Sequence, residues 1–169
     1  MANEIDKVRF ERLKHNVNVQ GIKIVDFRNG NGEDIGKLYP NKFDKVLLDT
    51  PCSGEGRFIL SNNKTYSNWN TKMVLELSKI QKKLFKSAYD SLKPGGTMVY
   101  STCTLNLEED EKILNWAIEN LNVKIIEIDL NLKNSVQGNA TSMNNNVKNA
   151  IKILPSNNME GFFIAKIQK

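Results

Sequence analysis

The sequence predicts a doubly wound α/β fold with a mostly parallel sheet, and three observations support this prediction. Short apolar runs alternate along the chain with longer segments whose apolar residues recur at helical spacing. Glycine and proline separate these segments, most clearly at residues 93–96, Lys-Pro-Gly-Gly. Strands that alternate with helices in this way form a sheet covered by helices. The length of 169 residues suits a single domain over residues 1–169.

The first half of the chain is predicted to contain two helices and two strands. Apolar residues at near-helical spacing predict a helix over residues 6–19, and a short strand follows at residues 22–27. Residues 43–49 hold a continuous apolar run, as in a strand covered on both faces. The clearest helix is predicted over residues 73–92, because its apolar side chains form one stripe. That stripe consists of Met73, Leu77, Ile80, Leu84, Ala88 and Leu92.

The second half of the chain is predicted to continue the alternation. A strand over residues 97–101 precedes a helix over residues 108–120, whose acidic first turn would complement the helix dipole. Another strand is predicted at residues 123–128. Residues 129–150 are rich in Asn and Ser and are predicted to form a mobile loop. A closing strand pair is predicted at residues 151–154 and 161–167.

The composition excludes several classes of protein. No apolar run is long enough to span a membrane, and the first residues lack a secretory signal, so a cytoplasmic location is expected. One histidine and two cysteines cannot form a zinc site of the usual composition within one chain, so no metal is expected. The net charge of +5 permits a polyanionic partner without requiring one.

The two cysteines, Cys52 and Cys103, lie in similar places. Each is predicted just past the end of a strand, among small polar residues. Asp49 ends the strand before Cys52, and the carboxyl ends of strands in such sheets are where ligands bind. A cysteine in an α/β domain is most often a small buried side chain. The local sequence therefore leaves two interpretations open, buried filler or a pair of reactive thiols.

Residues 49–54, Asp-Thr-Pro-Cys-Ser-Gly, resemble the Asp-X-Pro-Cys-Ser-Gly motif of the Sun and Nop2 family of RNA cytosine-5 methyltransferases. Residues 92–96, 99–104 and 108–111 resemble the next block of that family, and residues 160–166 resemble its final strand. The resemblance implies a Rossmann-like methyltransferase fold that uses S-adenosyl-L-methionine. It also implies methylation of cytosine C5 in RNA, either rRNA or tRNA.

The resemblance also implies a role for each cysteine. Cytosine C5 is a poor nucleophile, and a thiolate that adds to C6 makes C5 reactive toward a methyl donor. The family pattern assigns this nucleophile to Cys103, and it assigns assistance in product release to Cys52. Asp49 would lie beside the methyl donor and the base. The alternative makes Cys52 the nucleophile, as in the DNA cytosine-5 enzymes with their Pro-Cys motif.

The resemblance further implies contacts to the cofactor and to RNA. Glu4 matches the acid that binds the ribose hydroxyls, and Asn31 lies where the family has an acid near the adenine, or Asp26 if the alignment shifts. Arg57 and Trp69, in the segment after Cys52, are candidate RNA contacts.

The chain departs from the family pattern before Glu4. The glycine-rich cofactor loop that follows the first strand has no counterpart there, so the predicted sheet lacks its first strand. Either an upstream segment or a second chain supplies this element, or the gene is degraded. The alternative function is a catalytically incomplete RNA-binding or subunit fragment of such an enzyme.

Overall fold

The computed structural model describes residues 1–23, 26–130 and 132–169. A small parallel sheet pairs β1 (Ala2–Glu4) with β2 (Phe27–Asn29), and α1 (Lys7–Val19) connects them. The side chain of Asp6 begins α1 by accepting a hydrogen bond from the backbone N–H of Arg9 at 2.8 Å. The strand predicted at residues 22–27 includes residues 24 and 25, which lie outside the described residues.

The remaining strands form one larger mixed sheet. Its strands are β3 (Phe43–Asp49), β4 (Leu92–Thr102), β5 (Lys124–Ile126), β6 (Ser135–Gln137), β7 (Ile151–Ile153) and β8 (Phe162–Gln168). The order is β3-β4-β8-β7-β6, and β5 also pairs with β8. β3 and β4 are parallel, whereas β8 is antiparallel to β4, β5 and β7. The predicted α/β class and the predicted closing strand pair are confirmed.

The helices are α2 (Ile35–Leu38), α3 (Thr71–Ser91) and α4 (Glu111–Leu121). The core lies where α3 and α4 pack on the larger sheet. Its largest fully buried apolar side chains are Tyr100, Phe85, Phe163, Leu92, Met98, Ile113, Leu114 and Ile167. The parallel ladder of β3 and β4 pairs Asp49 with Ser101, so both strands end at the same level. This register places the segments that follow the two strands side by side.

The buried face of α3 differs from the predicted stripe. Val74, Ser78, Gln81 and Phe85 are buried, each one residue after a member of the predicted stripe, whereas Ile80 is 38% exposed. Ala88 and Leu92 of the predicted stripe are buried as expected, so the buried face is turned only slightly from the face that hydrophobicity alone predicted. Two polar side chains, Ser78 and Gln81, occupy the core-facing positions instead.

The prediction for the start of α4 was also wrong. The helix begins at Glu111, three residues after the predicted start, and Glu109 and Asp110 precede it. Glu109, Asp110 and Glu111 are all fully buried. Glu111 forms an ion pair with Lys152 at 2.9 Å, and Asp110 accepts a hydrogen bond from the Thr102 hydroxyl at 2.7 Å. These carboxyl groups therefore make tertiary contacts rather than forming an exposed first turn.

The segment 129–150 contains more structure than the predicted loop. β6 pairs with β7 in this segment, and a 3-10 helix spans Asn145–Asn149. The Val147 side chain is fully buried in the main core. The loop prediction was therefore wrong for these parts, because apolar side chains among the many asparagines, chiefly Val147 and Ala150, are buried in the core. Asn131 lies outside the described residues, and the mobility of the segment stays a prediction.

Two strand edges face a cavity between the two sheets. Among the described residues, β1 pairs only with β2, and β3 pairs only with β4. A cavity of about 630 Å³ is lined by residues of both β1 and β3, and by Leu84 and Ala88 of α3. Leu47 on β3 is 74% exposed, so the prediction of a strand covered on both faces at residues 43–49 was wrong. The predicted absence of a first strand corresponds to this gap.

Candidate active site

The two cysteines meet just beyond the ends of β3 and β4. Both thiols are free, and their Sγ atoms are 3.1 Å apart, within hydrogen-bonding distance. Both side chains are half-buried. Further contacts join the two segments, including a hydrogen bond of 2.9 Å between the Ser53 and Thr104 hydroxyls. The expected convergence of the two cysteines at one edge of the sheet is thus present.

The environment of Cys52 keeps its thiol neutral. Burial, followed by the hydrogen bond and charge of the neighbouring Cys103, raises the pKa of Cys52 to about 12. A thiol with this pKa is almost entirely protonated at neutral pH. A protonated thiol at this position can donate a hydrogen bond across the 3.1 Å contact with Cys103.

The raised pKa predicts slow alkylation of Cys52. At pH 8 we expect iodoacetamide to modify Cys52 at least about tenfold more slowly in the folded chain than in guanidinium, since an unperturbed cysteine has a pKa near about 8.5. Peptide mass spectrometry at several reaction times measures the rate. The rate in the folded chain should keep rising as the pH increases above 9. Equal rates in the folded and unfolded chain would contradict the assignment.

Asp49 and Glu4 lie on different sheets but line the same cavity. Asp49 is exposed at the end of β3, and its carboxylate accepts a hydrogen bond from the Ser101 hydroxyl at 3.2 Å. Glu4 ends β1, as predicted for the ribose-binding acid. The cavity volume of about 630 Å³ falls within the usual range for small-molecule sites.

Glu4 is held in a defined position by its neighbours. Its carboxylate accepts a hydrogen bond from the backbone N–H of Asp6 at 2.9 Å and forms an ion pair with Arg9 at 2.9 Å. Partial burial acts to raise the pKa of Glu4, but these hydrogen bonds outweigh burial and lower it. An ionised carboxylate at a strand end is the group that accepts hydrogen bonds from two ribose hydroxyls.

The predicted adenine contact is not brought into the cavity. The Asn31 side chain accepts a hydrogen bond from the backbone N–H of Glu33 at 3.0 Å and thereby caps the 3-10 helix Gly32–Asp34. The described cavity lining includes Gly32 but not Asn31. Asp26 is exposed, and its backbone carbonyl accepts a hydrogen bond from Ala2. The adenine contact therefore stays a prediction.

The two predicted RNA contacts have different surroundings. Arg57 is exposed at the end of the 3-10 helix Glu55–Arg57. Trp69 is half-buried and packs edge-to-face on Phe58, with 6.5 Å between ring centroids. Phe58 also contacts Tyr66, with 5.7 Å between ring centroids. Trp69 thus helps to order the segment after Cys52, and RNA contacts by Arg57 and Trp69 stay predictions.

Two buried polar residues near the cysteines were missed by the sequence analysis. Gln81 of α3 and Glu109 before α4 are fully buried and hydrogen-bonded to the segment that carries Cys52. Burial is the main cause that raises the pKa of Glu109. Gln81 lies seven residues after Val74 and three after Ser78, which is the spacing of residues on one face of a helix. Assigning that face to the core would have predicted a buried glutamine.

The described residues contain neither a metal-binding cluster nor a membrane-spanning helix. Within residues 1–23, 26–130 and 132–169, no cluster of three or more His, Cys, Asp or Glu side chains is arranged to hold a metal ion. No helix in the described part of the chain is long and apolar enough to cross a membrane.

Comparison with known proteins identifies close relatives. The "Ribosomal RNA small subunit methyltransferase F" of Klebsiella pneumoniae is 35% identical over 170 residues, covering 100% of this chain and 35% of that protein. The "tRNA (cytosine(49)-C(5))-methyltransferase" of Pyrococcus abyssi is 36% identical over 173 residues, covering 100% of this chain and 55% of that protein. The chain therefore spans about a third to about half of the length of these relatives.

Solved structures show the same relationship. A methyltransferase homologue from Pyrococcus horikoshii superposes with a TM-score of 0.81 at 30% identity, over 99% of this chain and 52% of that one. NSun6 from Pyrococcus horikoshii, determined with SFG, superposes with a TM-score of 0.80 at 28% identity, over 99% of this chain and 40% of that one. The family model described as "16S rRNA methyltransferase RsmB/F" matches residues 1–168. The resemblance to the Sun and Nop2 family is thus confirmed, and the chain belongs to the 16S rRNA methyltransferase RsmB/F family.

Proposed function

We propose that residues 1–169 form part of the catalytic domain of an S-adenosyl-L-methionine-dependent enzyme that methylates cytosine C5 in rRNA or tRNA. The observation that carries the proposal is the pair of free thiols 3.1 Å apart at the ends of two parallel strands. The relatives named as rRNA and tRNA methyltransferases support the reaction and the RNA substrate.

In the proposed reaction the two cysteines have different tasks. The Cys103 thiolate adds to C6 of cytosine, and the electron pair gained at C5 forms the bond to the methyl group. The bond between the methyl group and its sulfonium donor would break, with the electron pair remaining on the donor sulfur. In the release step a base removes the C5 proton, the C5=C6 double bond re-forms, and the C6–S bond breaks with its electron pair on Cys103. The neutral Cys52 thiol assists this elimination by donating a hydrogen bond to the departing sulfur.

The cavity between β1 and β3 fits the proposed cofactor. S-adenosyl-L-methionine would supply the methyl group as an electrophile, and NSun6 was determined with SFG, an analogue of it. Glu4 would accept hydrogen bonds from the ribose, and Asp49 would lie toward the methyl donor. Both carboxylates line this cavity, and Asp49 is three residues from Cys52.

A further strand with its glycine-rich loop, from an upstream segment or a second chain, is proposed to complete the cofactor site. The unpaired edges of β1 and β3 and the exposed Leu47 between them support this proposal. Adjacent strands satisfy each other's backbone N–H and C=O groups, so an added strand would satisfy two free edges at once.

The test compares two forms of the protein. The first is the chain alone; the second, called the completed chain, is this chain joined to a strand and glycine-rich loop from a family member. We expect the completed chain to bind S-adenosyl-L-methionine by calorimetry and to form 5-methylcytosine in rRNA or tRNA, detected by nucleoside mass spectrometry. The same preparation with Asp49→Ala controls for contaminating activity. A folded completed chain that binds cofactor but never methylates RNA would overturn the proposal.

A second candidate function starts from the same unpaired strand edges. The unpaired strand edges favour a chain that acts as an RNA-binding or subunit fragment without catalysis. RNA binding by the chain alone, with no methylation by the completed chain, would support this candidate.

A further inference from the structure

The peptide groups on both sides of Cys52 are held by one pair of side chains. Gln81 Nε2 donates a hydrogen bond to the Pro51 carbonyl at 2.9 Å, and the Ser53 backbone N–H donates one to Glu109 Oε1 at 2.9 Å. Gln81 Nε2 also donates to Glu109 Oε1 at 2.9 Å. Both amide hydrogens of Gln81 are therefore used, one on the backbone before Cys52 and one on the side chain that holds the backbone after it.

Cys103 is held in a different way. It follows β4 directly, and the last residues of β4 pair with β8, with Thr102 opposite Phe163. Its carbonyl accepts a hydrogen bond from the backbone N–H of Gly56 at 3.1 Å. The ladder between β3 and β4 ends at Asp49, so Cys52 lies beyond it. The position of Cys52 therefore depends on side chains far more than the position of Cys103 does.

Packing alone does not explain why polar residues, Gln81 and Glu109, occupy these buried positions. Gln81 and Glu109 are fully buried, yet Gln81 Oε1 and Glu109 Oε2 have no hydrogen-bond partner among the described residues. Apolar side chains at these positions would avoid the cost of burying two unmatched oxygens. Polar groups that reduce stability in this way are expected where a site requires them.

We propose that Gln81 and Glu109 are positioning residues that hold Cys52 against Cys103 and thereby govern the release of methylated RNA. The inference rests on the proposed function for its effect on release. Its structural part, the placement of the Cys52 thiol, stands independently. Neither residue touches the reacting atoms in this scheme, so loss of the pair slows elimination and leaves addition to C6 largely intact.

The first test measures the chain alone, without RNA. Gln81→Leu removes both donations, and we expect it to raise the alkylation rate of Cys52 about tenfold while Cys103 changes by less than about twofold. Ser78→Ala is the matched control, because Ser78 lies on the same face of α3 and donates to the Glu108 carbonyl at 3.0 Å without contacting the Cys52 segment. If Gln81→Leu does not fold, Gln81→Met serves instead.

The second test uses the completed chain with cofactor and RNA. For Gln81→Leu we expect multiple turnover to fall about tenfold and a covalent protein–RNA adduct to accumulate, while single-turnover methyl transfer changes by less than about threefold. Glu109→Gln keeps an oxygen that accepts from Ser53 and Gln81, so we expect it to lower multiple turnover less than Gln81→Leu does, by less than about threefold.

The outcomes separate the two proposals. Unchanged alkylation of Cys52 in a folded Gln81→Leu chain overturns the positioning role, as does an equal loss in single and multiple turnover without adduct. Faster alkylation of Cys52 in Gln81→Leu supports the positioning of Cys52. If the unsubstituted completed chain also folds and binds cofactor without methylating RNA, the proposed function is overturned while the positioning role stands.

Discussion

Cys103→Ser is expected to abolish methyl transfer, lowering single turnover in the completed chain by about 10⁴-fold or more, as loss of an enzymatic nucleophile does. A serine hydroxyl nearly matches the size of the thiol but is far less nucleophilic toward C6. The stability of the fold should change little, because Cys103 is only half-buried. Covalent trapping on RNA that contains 5-fluorocytosine provides the measurement, since fluorine at C5 prevents elimination. The adduct should disappear in Cys103→Ser.

Cys52→Ser is the matched control for this prediction. The Sγ atoms of Cys52 and Cys103 are 3.1 Å apart and form one hydrogen bond, so each substitution removes one thiol from the same pair. We expect the Cys52 variant to retain adduct formation and to release RNA slowly. The reverse result, an adduct lost in Cys52→Ser and kept in Cys103→Ser, would assign the nucleophile to Cys52, as in the DNA cytosine-5 enzymes.

The largest loss of stability is expected for Gly56→Ala. A Cβ atom at residue 56 would lie 2.1 Å from the carbonyl oxygen of Gly161 and 2.9 Å from that of Cys103. Both neighbours are backbone atoms that cannot easily move, because the Gly56 N–H donates to the Cys103 carbonyl and the Gly161 N–H donates to the Gly56 carbonyl. We expect a destabilisation of about 3 kcal/mol, at the upper end for overpacking, and a fall in Tm of about 6 to 12 °C.

Thermal unfolding followed by circular dichroism tests this prediction, with Gly30→Ala as the control. The three atoms nearest to a Cβ at residue 30 all belong to the guanidinium of Arg28, which is the end of a flexible side chain. That variant should lose less than about 1 kcal/mol. Similar melting temperatures for the two variants would show that the Gly56 segment moves aside easily. The account of how Cys103 is held would then be wrong.

The placement of the two cysteines could be predicted because it depends on a simple rule. Parallel strands end at the same edge of a sheet, and residues just past those ends lie close together. Recognising two strands from their apolar runs was therefore enough to bring Cys52 near Cys103. The same reasoning placed Asp49 at a strand end, whereas the position of Glu4 was implied only by the family resemblance. Neither placement required knowledge of side-chain contacts.

The supporting contacts of the site could not be predicted in the same way. A pattern of apolar residues assigns polar side chains to the surface, whereas Gln81 and Glu109 are buried and matched by groups distant in sequence. Glu109 meets Ser53 across 56 positions of the chain. Contacts of this kind depend on how elements pack, and no local periodicity encodes them. The burial of Val147 among asparagines was missed for the same reason.

The separation of Glu4 and Asp49 onto two sheets has a thermodynamic consequence. The part formed by β1, α1 and β2 meets the rest of the protein through residues 32–36, where the Gly32 carbonyl accepts a hydrogen bond from Ser87 of α3 at 2.7 Å. A molecule that contacts both Glu4 and Asp49 must bind more tightly when the part formed by β1, α1 and β2 is packed against the rest of the protein, the docked arrangement, than when it is separated from it. Linkage is reciprocal, so such a ligand stabilises the docked arrangement by the same factor. Amide hydrogens in α1 should therefore exchange with solvent more slowly as the cavity fills, and ligand binding becomes measurable at a distance from the thiols.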